Sequence, residues 1–94
     1  MIQSFACKET KKVFEGDVSR KLPGNLLGVT SRKLTMVHLA ERLDDLRVPP
    51  GNQLEALKGT RRGQHSIRIN QQWRICFRWT TEGPAEVEII DYHR

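Results

Sequence analysis

Residues 67–79 read IRINQQWRICFRW, and the fold turns on how that run is parsed. Bulky side chains fall at Ile67, Ile69, Trp73, Ile75, Phe77 and Trp79, with Arg68, Arg74, Cys76 and Arg78 on the alternate positions. Side chains on a strand point to opposite faces with period two, so the run predicts a hairpin turning at Asn70-Gln71-Gln72. With that loop, Ile69 faces Trp73 and Arg68 faces Arg74. Two arginines directly opposite each other repel, a cost that suits an exposed face to which an anion binds. The hairpin thus presents an apolar face to a core and a basic face to something negative.

Outward from it, the closing run at residues 86–93 (EVEIIDYH) continues the alternation, and Ala85 to Tyr92 reads as a last strand, with Val87 and Ile89 inward and a turn at residues 81–84 before it. Upstream, residues 54–58 suit a strand, and residues 59–63 (GTRRG) a polar turn. Val48-Pro49-Pro50-Gly51-Asn52 stops a helix, because proline removes a donor and restricts its predecessor. That helix starts with Thr30 or Ser31 as N-cap and carries Leu34, Val37, Ala40 or Glu41, Leu43 and Leu46 as one apolar stripe. Asp45 then falls near its negative end, where a carboxylate is unfavourable. His38 reads as a boundary residue. Residues 10–14 suit a short helix ended by Gly16, residues 17–28 a loop broken at Pro23-Gly24, and residues 2–5 a short strand. Helices followed by a run of strands predict an α+β fold, with helices packed on one sheet face.

Ninety-four residues make one domain, 1–94, burying roughly 60–70% of its unfolded surface. The net charge is +5, and its distribution is uneven. Between residues 58 and 79 stand Lys58, Arg61, Arg62, Arg68, Arg74 and Arg78 without one acid, whereas residues 32–47 mix both signs. Such asymmetry points to a nucleic-acid or phosphate partner for the C-terminal half, against a merely solvated sheet face. No apolar run approaches the ~20 residues of a membrane helix, and no secretory leader is evident, so a reducing cytoplasm is expected. Cys7 and Cys76 do not form a metal or disulfide pattern. Cys76, flanked on its face by Arg74 and Arg78, is either a thiol of lowered pKa or a passively packed residue.

Asp91-Tyr92-His93 gathers three proton-handling groups in succession. Histidine titrates nearest neutrality and suits general acid or base work. Arginines nearby favour a tyrosinate, and Asp91 suits orientation or proton donation. A metal site is not indicated, since one Asp and one His lack a ligand pair at the necessary spacing. Cleavage of RNA through its own 2′-hydroxyl needs a proton acceptor, a proton donor for the leaving 5′-oxygen, and cations on the phosphoryl oxygens. Arginine meets the last need with two bonds to phosphate.

The segment PPGNQLEALKG (residues 49–59), the hairpin SIRINxxWRICFRW and the closing VEIIDYH resemble the HigB branch of the RelE/ParE toxin superfamily over essentially the whole chain. The resemblance implies two N-terminal helices on a small antiparallel-rich sheet, and a toxin encoded beside an antitoxin. It implies a ribosome-dependent endoribonuclease that cuts messenger RNA in the ribosomal 30S A site without metal or cofactor. Asp91, Tyr92 and His93 match the family's terminal triad, Arg74 its phosphate-stabilising arginine, and Lys58 its basic residue before a glycine. Arg62, Arg68 and Arg78 are expected to add phosphate contacts. Where relatives often carry a histidine three residues before the lysine, this chain has Glu55, a possible replacement acceptor that also repels phosphate. The implied partners are an antitoxin with a helix-turn-helix DNA-binding domain, operator DNA through that complex, the ribosome and mRNA. Two other readings compete: a non-enzymatic gyrase inhibitor like the ParE branch, and a basic nucleic-acid-binding module that does not cut.

Overall fold

In the computed structural model, which describes residues 1–92, the hairpin forms as its alternation predicts. Strand β2 (His65–Arg68) pairs antiparallel with β3 (Trp73–Thr80), placing Ile67 opposite Ile75 and Arg68 opposite Arg74. Asn70 sets the turn, since its Oδ1 accepts the backbone N–H groups of Gln72 (2.8 Å) and Trp73 (2.7 Å). The short β1 (Glu55–Ala56) flanks β2, and β4 (Gly83–Asp91) flanks β3, giving the order β1-β2-β3-β4 among the described residues. The expected strand over residues 54–58 is thus only two residues long. The expected N-terminal strand is a single parallel bridge, Phe5 to Val87. It is strengthened by Val87 N–H donating to the Ser4 carbonyl (3.0 Å) and Ala6 N–H to the Val87 carbonyl (3.0 Å).

Helices α1 (Lys8–Phe14) and α2 (Leu27–Leu39) cover one face of the sheet. Val13, Leu34 and Val37 meet Ile67, Trp73, Ile75, Phe77, Val87 and Ile89 in one core, joined by Leu22, Ala40 and Leu46. The buried Thr10 hydroxyl accepts the Ile89 N–H at 3.0 Å, fixing α1 to β4.

The second helix differs from its sequence expectation at both ends. It begins at Leu27, so Thr30 lies inside it, buried, rather than capping it. It ends at Leu39 because Ala40 turns extended (ψ 128°), and residues Leu43–Arg47 form a separate 3-10 turn. Asp45 explains the break: its Oδ2 accepts the N–H groups of Glu41 and Arg42, each at 3.0 Å. A carboxylate is unfavourable at a helix C-terminus and favourable at an N-terminus, and Asp45 sits at the latter. Periodicity ran on because Leu46 re-enters the same core in phase.

Beyond that turn, Asn52 is fully buried. Its Nδ2 donates to the carbonyls of Leu46 (3.1 Å) and Val48 (3.4 Å), and its Oδ1 accepts from Lys33 Nζ. The next residue, Gln53, is left-handed (φ 44°, ψ 56°), a conformation uncommon outside glycine.

Candidate active site

The sheet face away from the helices is built in rows. Directly paired residues share a face, so Arg68, Arg74 and Ile90 form one row, and Glu55, Ser66, Cys76 and Glu88 the next. The uniformly basic face expected of the hairpin is therefore corrected: flanking strands insert carboxylates between the arginines. Arg61 Nη1 lies 3.3 Å from Glu88 Oε1, Arg78 Nε 3.1 Å from Glu86 Oε2, and Arg74 Nε 3.8 Å from Glu55 Oε1.

Arg74 is the centre of this face and is not a surface arginine. Its side chain is 9% exposed. Nε donates to Ser66 Oγ at 2.7 Å, and Nη2 to the Gln53 carbonyl at 2.6 Å. Burial is the largest influence on its pKa and lowers it, opposed by Glu55, Cys76 and Tyr92 and reinforced by Arg68. Those bonds fix the fork. The opposed arginines of the hairpin are accommodated because Arg74 is tied to Ser66 and Gln53.

Around Arg74 opens a depression of about 500 Å³, lined by Gln53, Arg68, Asn70, Gln72, Arg74 and Tyr92 among others. A second hollow, about 290 Å³, is lined by Glu55, Ala56, Leu57, Lys58 and Tyr92. Tyr92 borders both, with its ring centroid 5.7 Å from Arg74 Cζ. Its backbone N–H donates to the Gln72 carbonyl at 2.5 Å, and Gln72 Nε2 donates to Asp91 Oδ2 at 3.1 Å. The hairpin turn thus holds Asp91 and Tyr92 against the arginines.

Of the residues singled out from sequence, Arg68, Arg74, Lys58 and Tyr92 come together around these two hollows, and Asp91 adjoins them through Gln72. His93 lies outside the described residues. Arg62 is exposed and lines neither hollow, and Arg78 lies further along β3 with Glu86. Sequence reasoning passed over Gln53, Ser66 and Gln72. All three act through main-chain oxygens, which leave no residue-type signature, and Ser66 and Gln72 through their side chains as well. The asparagine of the turn was the one legible clue. Cys76 is buried and its thiol is pushed up to about 11, first by desolvation, so the reactive alternative is set aside. Among the described residues, no three His, Cys, Asp or Glu side chains gather as metal ligands, and no helix is long and apolar enough to cross a membrane.

A family described as the RelE-like toxin of type II toxin-antitoxin system HigB matches residues 3–93. Toxin HigB-1 of Vibrio cholerae is 36% identical over 95 aligned residues, spanning 100% of this chain and 99% of that protein. Endoribonuclease HigB of Proteus vulgaris is 30% identical over 93 residues, spanning 99% of this chain and 100% of that protein.

Proposed function

Since the chain belongs to the HigB-like family of RelE-like toxins of type II toxin-antitoxin systems, we propose that it is an endoribonuclease that cuts messenger RNA held in the ribosomal A site. Membership implies a cognate antitoxin. The observation that carries the nuclease reading is Arg74, a buried guanidinium fixed by Ser66 and Gln53 on the wall of a depression it shares with Arg68 and Tyr92. Preorganised donors of this kind stabilise charge developing on phosphoryl oxygens without reorganising during the reaction.

In this mechanism Arg74 and Arg68 grip the scissile phosphate, and Lys58 contributes a second cation from the neighbouring hollow. The RNA 2′-oxygen attacks phosphorus and the 5′-oxygen leaves. Tyr92 and His93 handle the protons, and Asp91, held by Gln72, orients them. Arg62 and Arg78 meet the strand outside this centre. Dependence on the ribosome follows from the shallow, open site, which needs RNA delivered in an in-line geometry. The Proteus vulgaris relative is named as an endoribonuclease, which favours this reading over gyrase inhibition. The antitoxin is proposed to carry a helix-turn-helix domain and to bring the toxin to operator DNA.

The test maps RNA ends by primer extension on a message translated in vitro, with and without ribosomes, beside a His93→Ala variant. Ribosome-dependent cuts within codons, weakened in the variant, are expected. An intact message with unimpaired translation would shift the search to gyrase. An intact message with blocked translation would leave a protein that binds and does not cut.

A further inference from the structure

We propose that Lys33 is a positioning residue for Arg74: from α2, and through Asn52, it holds the Gln53 carbonyl against the guanidinium. The role rests on the nuclease reading above and adds to it a side chain that lines neither hollow. Gln53 is where the setting of Arg74 is weakest. Its backbone is left-handed (φ 44°, ψ 56°) and its side chain is exposed, so nothing in the residue itself favours that conformation. The ψ of Gln53 sets where its own carbonyl points, and that carbonyl accepts from Arg74 Nη2 at 2.6 Å. Backbone of this kind persists only where the surrounding structure over-determines it.

The constraint arrives from Asn52, one peptide bond away and fully buried. Its Nδ2 donates to the carbonyls of Leu46 and Val48, and its Oδ1 accepts from Lys33 Nζ. An ammonium only donates and a carbonyl only accepts, so these neighbours permit one orientation of the amide. Lys33 decides it from the oxygen side. With an apolar side chain in its place, Oδ1 would be a buried acceptor without a donor, which is costly, and the amide would be free to turn.

For stability alone Lys33 is a poor choice. It is half-buried, and among the described residues its ammonium meets a neutral amide and no carboxylate. Desolvation first, then the neighbouring Arg32, lowers its pKa. Withdrawing a cation from water without a counter-charge is unfavourable, and a methionine of similar length would escape that cost. Such a local conflict is expected where function demands it, and here it lies one residue from the carbonyl that orients Arg74.

The experiment compares wild type, Lys33→Met, Lys33→Gln and Lys33→Arg by NMR of the arginine side-chain nitrogens in the free protein, with Arg74→Lys assigning the Arg74 signals. Single-turnover cleavage of ribosome-held message and urea unfolding accompany it. A guanidinium bonded at both Nε and Nη2 turns slowly about its Nε–Cζ bond and gives separate Nη signals. Lys33→Met is expected to merge those of Arg74. It is also expected to cut about 10-fold more slowly, within the ~100-fold that a 1 Å displacement can cost, at an unchanged half-saturating concentration. Lys33→Arg still donates to Asn52 and keeps both properties. Lys33→Gln can donate or accept, so it no longer dictates the amide's orientation; its intermediate loss carries the test if the methionine variant does not fold. Adding Gln53→Gly to Lys33→Met recovers part of the rate, because glycine takes the left-handed conformation unaided. A folded Lys33→Met with separate Arg74 signals and the wild-type rate overturns the inference. In a protein that cuts, a change in one of the two without the other does the same. A wild type that never cuts removes the nuclease reading, whereas the Arg74 signals of the free protein judge the hold of Lys33 by themselves.

Discussion

Arg74 owes its usefulness to what it touches besides a substrate. Ser66 takes Nε and the Gln53 carbonyl takes Nη2, so the plane of the guanidinium is set before any anion meets it. A lysine offers three donors from one point and cannot serve two fixed acceptors and an anion in the same geometry. Arg74→Lys is therefore expected to slow cleavage by about 100-fold and to lower stability by roughly 1–3 kcal/mol, read from single-turnover cleavage and urea unfolding. None of this was legible beforehand. The alternation of residues 67–79 placed Arg74 on the correct face and opposite Arg68, but an acceptor supplied by the main chain of Gln53 carries no residue signature. Cys76 gives a second prediction. Its folded thiol is pushed up to about 11 from an ordinary 9.0, so between those values the folded chain binds more protons than the unfolded one. Stability then falls as pH rises through that window. Cys76→Ala is expected to flatten this alkaline slope in urea unfolding.

The elements were legible wherever one face meets the core and the other does not. β3 and β4 were bounded to within a few residues because Trp73, Ile75, Phe77, Val87 and Ile89 alternate with polar positions and are buried. The second helix was overrun because Leu43 and Leu46 continue its spacing although they belong to a new turn, begun at Leu43 and capped by Asp45. Periodicity reports which residues face the core and is silent about a break that preserves the phase. The segment Pro50–Asn52 was read as a helix stop, whereas it is also the mount of the site. Asn52 pins the Leu46 and Val48 carbonyls and receives Lys33, and the adjoining Gln53 presents its oxygen to Arg74. Asn52→Ala leaves the buried Leu46 carbonyl and the partly buried Lys33 ammonium without these bonds. It is expected to cost about 2–3 kcal/mol and to weaken cleavage despite its distance from RNA, which urea unfolding and the cleavage assay would show together.

At the scale of the molecule, sixteen basic and eleven acidic residues overstate the evenness of the charge. Three carboxylates on the sheet face are engaged by arginines, Glu55, Glu86 and Glu88, while Arg62 stands exposed at the edge. The sequence pattern showed the basic stretch and missed its neutralising acids because they arrive from β1 and β4, which flank the hairpin just outside the acid-free run of residues 58–79. Arg62→Gln is expected to weaken binding to single-stranded RNA and to reduce the slope of log affinity against log salt by about 0.7, the share of one phosphate contact. A titration at several salt concentrations measures it.

The bridge from Ser4 and Ala6 to Val87 bears on the order in which the molecule is made whole. It joins stretches separated by most of the chain, and closing so long a loop requires entropy to be lost before any contact compensates. The strand it secures is the one that delivers Asp91 and Tyr92 to the arginines. A half-folded molecule can own its hairpin and its helices and still lack an assembled centre. On the proposed nuclease reading, a chain that has not closed this loop lacks the assembled centre and is expected not to cut RNA.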